Sequence, residues 1–189
     1  MSECPSSVAY VQTTNKVKAA PLILNKRTIQ TTGKIQAVIA NSGIANACTG
    51  QKGMEDAISM QQQVSETLGI NQDFICVAST GIIGQRLPMS KIKKGIQQLN
   101  KDGNANYFAK AILTTDLNTK TCVVTEKFGQ TTVTMAGVAK GSGMIHPNMA
   151  TMLAFITCDA NISTETLQEA LKTNIDKTFN QITIDGDTS

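Results

Sequence analysis

Residues 34–84 read KIQAVIANSGIANACTGQKGMEDAISMQQQVSETLGINQDFICVASTGIIG, and this stretch decides the fold class. Lys34–Ala40 is an apolar run that predicts a buried strand. It passes into Asn41–Gly50, a loop of small and polar residues that lets backbone approach a ligand or another chain segment. Met54, Ala57, Ile58, Met60, Val64 and Leu68 then recur at helical spacing, with Gly69 as the stop. Methionine on such a stripe fills core space rather than doing chemistry. Phe74–Ser79 predicts a second buried strand, which ends in Thr80-Gly81-Ile82-Ile83-Gly84.

Further along, Pro88 and Ser90 open a helix with Ile92, Ile96 and Leu99 on its face. Tyr107, Phe108, Ala111 and Ile112 mark a short helix that ends at Thr114-Thr115-Asp116. Thr121–Glu126 and Thr131–Val138 alternate around Phe128-Gly129-Gln130, which predicts a hairpin. Met152–Thr157 predicts another buried strand, and Leu167, Ala170, Leu171 and Ile175 a helix capped by Ser163. Ile182-Thr183-Ile184 predicts a last strand before Asp185-Gly186-Asp187-Thr188-Ser189. Helices and strands mix without a strict βαβ rhythm, and the hairpin requires some antiparallel sheet. The class is therefore α/β (α+β), with no repeat and no linker standing out.

A chain of 189 residues suits one domain, or one and a half. Its 41% hydrophobic and 16% charged residues exclude a disordered polymer. No apolar run reaches ~18 residues, so no membrane span is expected. Met1–Lys16 lacks a charged region followed by an apolar one, so no signal peptide is expected and a cytoplasmic address follows. Arg86, Lys91, Lys93, Lys94, Lys101 and Lys110 against Asp102 make residues 86–110 basic, while Asp159, Glu165, Glu169, Asp176, Asp185 and Asp187 make the end acidic. Both stretches read as solvated faces. With 4% aromatic residues and no Trp, nucleic-acid binding is not expected. Five cysteines at long spacings, no CxxC and a single His argue against a metal site. Cys76, Cys122 and Cys158 lie in apolar runs and are expected to be buried and reduced.

The densest chemical signal is residues 140–153, KGSGMIHPNMATML. Gly141, Gly143 and Ala150 leave room around Thr151, and Pro147 restricts the backbone ahead of it. The segment is a tightly turning loop that delivers a Thr to the start of a strand. On the residues alone, Thr151 reads as a strand-edge hydroxyl and the loop as a hinge.

This segment closely resembles the self-cleavage segment of the ornithine acetyltransferases of the cyclic arginine pathway. Other blocks match in the same order. Thr14–Pro21 (TNKVKAAP) resembles the family's TNxVxAAP block, and NSGIANACTG its Asn/Gly/Cys loop, with Ile44 where Asn is usual. Ser79–Gly84 resembles its STGVIG block, and Thr114-Thr115-Asp116 and the terminal DGDTS match as well.

The resemblance implies layered sheets with flanking helices, as in the fold shared with N-terminal-nucleophile aminopeptidases. It implies a cut between Ala150 and Thr151, dividing the chain into an α-chain-like segment, 1–150, and the start of a β-chain-like segment, 151–189. Thr151, its hydroxyl activated by its own freed amine, would carry acetyl from N-acetylornithine to glutamate in two half-reactions. Thr80 and Gly81 would bind the oxyanion, and Thr114, Lys140 and Thr151 would contact substrate. No bound cofactor is implied, acetyl-CoA stays open as a second acetyl donor, and an α/β heterotetramer is expected. Without the resemblance, Thr80-Gly81 reads as a strand-to-helix turn, Lys140 as a solvated loop lysine and Thr114 as a helix C-terminal hydroxyl. His146 lies in the loop ahead of the cut and is not assigned as a base. Family members continue well beyond DGDTS and carry a Glu and further substrate residues there, so the chain resembles an incomplete member. Two alternatives remain: an inactive remnant or interaction partner with the same half-fold, and an aminopeptidase using the same nucleophile.

Overall fold

The structure, a computed structural model, describes residues 1–100, 102–146 and 151–188. It divides into two compact units, Met1–Tyr10 with Asn15–Asn104, and Val11–Thr14 with Ala105–Ser189. The division falls after the polar stretch Gln98–Asn104, where the sequence reading finds no linker. The expected 1–150 and 151–189 segments are defined by a bond to be cut and not by compactness.

In the first unit β3 (Ala37–Asn41), α2 (Gly50–Leu68) and β4 (Ile75–Ser79) form one βαβ crossover, with Ala37 opposite Ile75 and Asn41 opposite Ser79 in parallel register. A short antiparallel pair, β1 (Ser6–Ser7) and β2 (Lys34–Ile35), precedes it. The single predicted strand over 34–40 is thus two strands broken at Gln36, whose N–H donates to the Phe74 carbonyl instead (2.7 Å). The predicted stripe of α2 supplies the core residues Ala57, Met60 and Val64, and Gly69 ends the helix at φ 66°.

The sequence pattern gives no sign of α1 (Ala20–Thr32). Its buried face is Ala20, Leu24 and Thr28 with Pro21 and Asn25, so polar residues interrupt the apolar period. Those polar residues have work to do inside. Asn25 Nδ2 donates to the Val77 carbonyl and Asn25 Oδ1 accepts the Val77 N–H, both at 2.8 Å. Gln61 Nε2 donates to the Ile75 carbonyl at 2.6 Å. Side-chain amides thereby take the place of a missing strand beside buried β4, whose backbone groups would otherwise go unpaired. α3 (Met89–Gln97) buries Ile96, while Leu99 falls beyond its end and is exposed. Lys91, Lys93 and Lys94 are exposed, as a solvated face requires.

The second unit is built on the antiparallel sheet of β5 (Lys120–Phe128), β6 (Thr131–Lys140) and β7 (Leu153–Cys158), with β6 central. The predicted hairpin around Gly129 joins β5 to β6. Two helices, α4 (Ala105–Ala111) and α5 (Thr164–Ile175), complete it, and Ser163 caps α5 by accepting the Thr166 N–H at 3.2 Å. Phe108 of α4 meets Phe155 of β7 edge to face, ring centres 5.3 Å apart.

Three expectations are corrected here. The strand predicted as buried over 152–157 holds only half-buried and exposed residues, with Ile156 at 49%, and Val124, Phe128 and Met135 of its sheet are exposed too. Cys122 is accordingly exposed and Cys158 half-buried, so only Cys76 is a buried thiol, although all five cysteines are free. An apolar run sets which residues favour burial, but burial needs a covering layer, and this face has none among the described residues. The last predicted strand, 182–184, is no strand: only isolated bridges from Ile145 to Ile184 and to Asp185 form there. No described helix is long and apolar enough to cross a membrane.

Candidate active site

Thr80 and Gly81 leave the C-terminal end of β4. Ser79 donates its hydroxyl to Asn41 Oδ1 (2.6 Å), and Asn41 Nδ2 turns to the Ile44 carbonyl (2.9 Å). The loop after β3 then runs alongside residues 80–84. Thr80 N–H meets the Asn41 carbonyl at 3.1 Å, Ile82 N–H that of Gly43 at 3.0 Å and Gly84 N–H that of Ala47 at 2.9 Å. Gly81 has φ 129°, and a Cβ there would stand 2.2 Å from the Gly43 carbonyl carbon. Only glycine fits this crossing of two backbones. Fully buried Asn46 braces the same loop, donating to the Gly53 carbonyl at 2.8 Å and accepting from Thr49 at 2.7 Å. Thr80 is 6% exposed, and its hydroxyl makes no hydrogen bond to a described residue. Its hydroxyl stands at the end of buried β4, where it is free to donate. Arg86 closes the segment with a two-pronged pair onto buried Asp56, 2.8 Å at its shortest.

The other residues lie in the second unit. Lys140 ends β6 opposite Leu153, so Thr151 sits two residues before the first rung of β7, at the same end of the ladder. Met152 packs on Gly141 there, with Met152 Cγ 3.6 Å from where a Gly141 Cβ would be. Lys140 is 3% exposed and donates to the Thr114 hydroxyl at 3.2 Å, so it is not a solvated loop lysine. Burial pushes its ammonium below the ordinary lysine value; Asp116 opposes that shift and Lys120 adds to it. Thr151 is half-buried with φ 66°, a left-handed conformation that a β-branched residue rarely adopts. Ala150 lies outside the described residues.

The structure thus brings Thr114, Lys140 and Thr151 to one end of one sheet, and sets Thr80 and Gly81 on the strand end of the other unit. It also shows two residues that no role had been given. Asp116 Oδ1 accepts the Gly141 N–H at 2.8 Å and pairs with Lys120. Asp185 Oδ2 accepts the Met144 N–H at 2.7 Å. Thr115 and Ser142 share a hydroxyl contact of 2.9 Å, Ile145 bridges Ile184, and His146 Nδ1 stands 3.2 Å from Thr183 Oγ1. Residues 141–146 are therefore held by the Thr114-Thr115-Asp116 and 183–185 segments. The signal was present, since both segments lie in matched blocks, but a motif does not say what its carboxylates touch. Cys76 is no rival nucleophile, because burial pushes its thiol up to about 12. Among the described residues no cluster of His, Cys, Asp or Glu could hold a metal ion.

A family model described as the ArgJ family matches residues 1–189. The chain belongs to the ArgJ family. The arginine biosynthesis bifunctional protein ArgJ of Streptococcus thermophilus strain CNRZ 1066 is 65% identical over the whole chain, which covers 48% of that protein. The ArgJ protein of Staphylococcus epidermidis strain RP62A is likewise 65% identical, with the same coverage. The chain spans about half the length of these ArgJ relatives. Among solved structures, the ArgJ protein of Bacillus halodurans is 50% identical with a TM-score of 0.75, over 78% of this chain and 79% of that one. The ornithine acetyltransferase of Mycobacterium tuberculosis, complexed with ornithine, is 34% identical with a TM-score of 0.66, over 75% and 77%. The mixed α/β architecture is the one these ArgJ structures share.

Proposed function

We propose that this chain carries the nucleophile and part of the substrate site of an acetyltransferase of arginine biosynthesis, which moves acetyl from N-acetylornithine to glutamate. The observation that carries the reading is the junction of β6 and β7 in an ArgJ-family chain. There a buried lysine and a strained threonine share one ladder end. Thr151 Oγ attacks the Ala150 carbonyl carbon, the C–N bond breaks, and the nitrogen takes a proton to become the Thr151 amine. Water then opens the resulting ester. The freed amine accepts the hydroxyl proton as Thr151 attacks the acetyl carbon of N-acetylornithine. Ornithine leaves with that proton on its amine, and the amine of glutamate displaces acetyl from Thr151. Acetyl-CoA stays open as a second donor in this scheme, a cytoplasmic setting fits it, and two copies of each cleaved chain are proposed to assemble as an α/β heterotetramer. Intact mass of the purified chain is the direct test. Pieces meeting at Ala150–Thr151 and an acetyl adduct on Thr151 support the reading. A chain that stays whole and unacetylated, even with the remaining half of an ArgJ relative supplied, would leave the inactive-remnant reading standing.

The proposed oxyanion donors are the Thr80 hydroxyl and the Gly81 N–H. Thr80→Ala is expected to slow acetyl-Thr151 formation ~10²–10³-fold, as loss of one preplaced donor does. Quenched-flow mass spectrometry of the acetyl adduct measures it, and an unchanged rate would remove Thr80 from the scheme.

Lys140 is proposed to pair with the substrate α-carboxylate. Loss of a charge-assisted hydrogen bond costs about 1.5–3 kcal/mol. Lys140→Met should therefore raise KM for both amino-acid substrates ~10–100-fold, with a smaller effect on kcat. Because the Lys140 ammonium is held below the ordinary lysine value, substrate binding should weaken as pH rises through that lowered value and recover on acidification. A KM that is flat across that alkaline range would contradict this assignment.

A further inference from the structure

We propose that Asp116 is a positioning residue of this site: its carboxylate clamps the N–H of Gly141, the amide directly after Lys140, and lends the buried Lys140 ammonium a countercharge. The proposal rests on the reading of Lys140 as the substrate-carboxylate anchor. A buried ammonium whose bonded partner is a neutral hydroxyl is costly unless an opposite charge stands near. Among the described residues the only ion pairs are Arg86 with Asp56 and Lys120 with Asp116, so Lys140 is not directly paired. Asp116 nonetheless lies beside it, two residues after the Thr114 that Lys140 donates to and bonded to the next amide, Gly141 N–H, and its charge raises the Lys140 value while that of Lys120 lowers it.

The side chain of Asp116 is fully shielded from solvent. Oδ1 is occupied by the Gly141 N–H and by Lys120, and Oδ2 is buried with no hydrogen-bond partner among the described residues. This arrangement separates two tasks. A carboxylate bonded directly to Lys140 would use up the donors that an incoming carboxylate needs. A carboxylate anchored on Lys120 and Gly141 supports the charge from nearby and leaves those donors available. The same hydrogen bond fixes the end of β6, where the chain turns from Lys140 toward Ser142. Burial opposes ionisation of Asp116, but Lys120, the Gly141 N–H and Lys140 hold its carboxyl below the ordinary value, so the countercharge persists across neutral pH.

The test is an NMR titration of the lysine ¹³Cε resonances in the 189-residue chain, with Lys140→Arg identifying the Lys140 signal. Asp116→Asn should move the Lys140 midpoint down by on the order of one pH unit. Asp116→Glu, which keeps the charge, should restore it, and Lys120→Met should move it up. A Lys140 midpoint unmoved in folded Asp116→Asn overturns the proposal. If Asp116→Asn does not fold, the Gly141 amide resonance of the unaltered chain decides: it should shift as the Asp116 carboxyl is protonated in acid, and a Gly141 amide that does not follow that titration overturns the proposal equally. Failure of the anchor reading is a separate result: Lys140→Met would leave substrate affinity unchanged while Asp116→Asn still moved the titration.

Discussion

Thr151→Ala is expected to leave the chain whole and to reduce acetyl transfer to background. Both proposed reactions pass through an ester on the same oxygen, so removing that oxygen removes both at once, with no partial route through another hydroxyl. The backbone adds to the argument. A β-branched residue at φ 66° stores about 1–3 kcal/mol, and the stored strain lies on the residue whose preceding bond is proposed to break. Cutting Ala150–Thr151 releases that strain, which favours attack over reversal. Thr151→Ser separates chemistry from packing, since it keeps the hydroxyl and should still cleave, more slowly. Intact mass after timed incubation reads both variants. A Thr151→Ala chain that still splits at 150/151 would show that some other group makes the attack.

Gly81→Ala should be strongly damaging to the first unit. The added Cβ would stand 2.2 Å from the Gly43 carbonyl carbon, 2.3 Å from its oxygen and 2.7 Å from the Ile44 nitrogen, all backbone atoms without a rotamer to change. The residue is also held at φ 129°, where any L side chain is strained by about 1–3 kcal/mol. The two loops must separate, breaking the Ile82–Gly43 and Ala45–Ile82 hydrogen bonds that tie them. A loss of about 3 kcal/mol or more is expected, which in a unit of this size lowers Tm by roughly 10–20 °C. Differential scanning calorimetry measures it. Gly84→Ala is the control, because nothing stands within 4 Å of a Cβ there and only the φ penalty applies. Equal losses at both positions would mean that the loops do not cross as described.

The candidate site was legible where identity of residue is enough. Thr151, Lys140, Thr114 and Thr80-Gly81 all stand in blocks whose residue order marks them; the fold positions Thr151, Lys140 and Thr80-Gly81 at or beside strand ends and Thr114 in the connection between α4 and β5. The supporting groups were not legible. Asp116 and Asp185 act through backbone N–H groups 25 and 41 positions away, and no local period carries such a pairing. Asn25 is the same case in the core. It breaks the apolar stripe that would announce α1, because its amide completes the hydrogen bonding of β4 fifty-two residues on.

By itself, the sequence determined the elements with a clean period and a local stop. These are α2 with Gly69 behind it, α5 under its Ser163 cap, the β5–β6 hairpin at Gly129 and the buried strand β4. Their determinants lie within a few residues of one another, so short-range physics suffices. Only the tertiary structure decided burial where residue type points the other way. Lys140, charged and in a loop-like context, is 3% exposed, while the apolar run of β7 leaves Ile156 49% exposed. Side-chain chemistry sets the cost of burial, but burial itself depends on which distant segment supplies the covering layer.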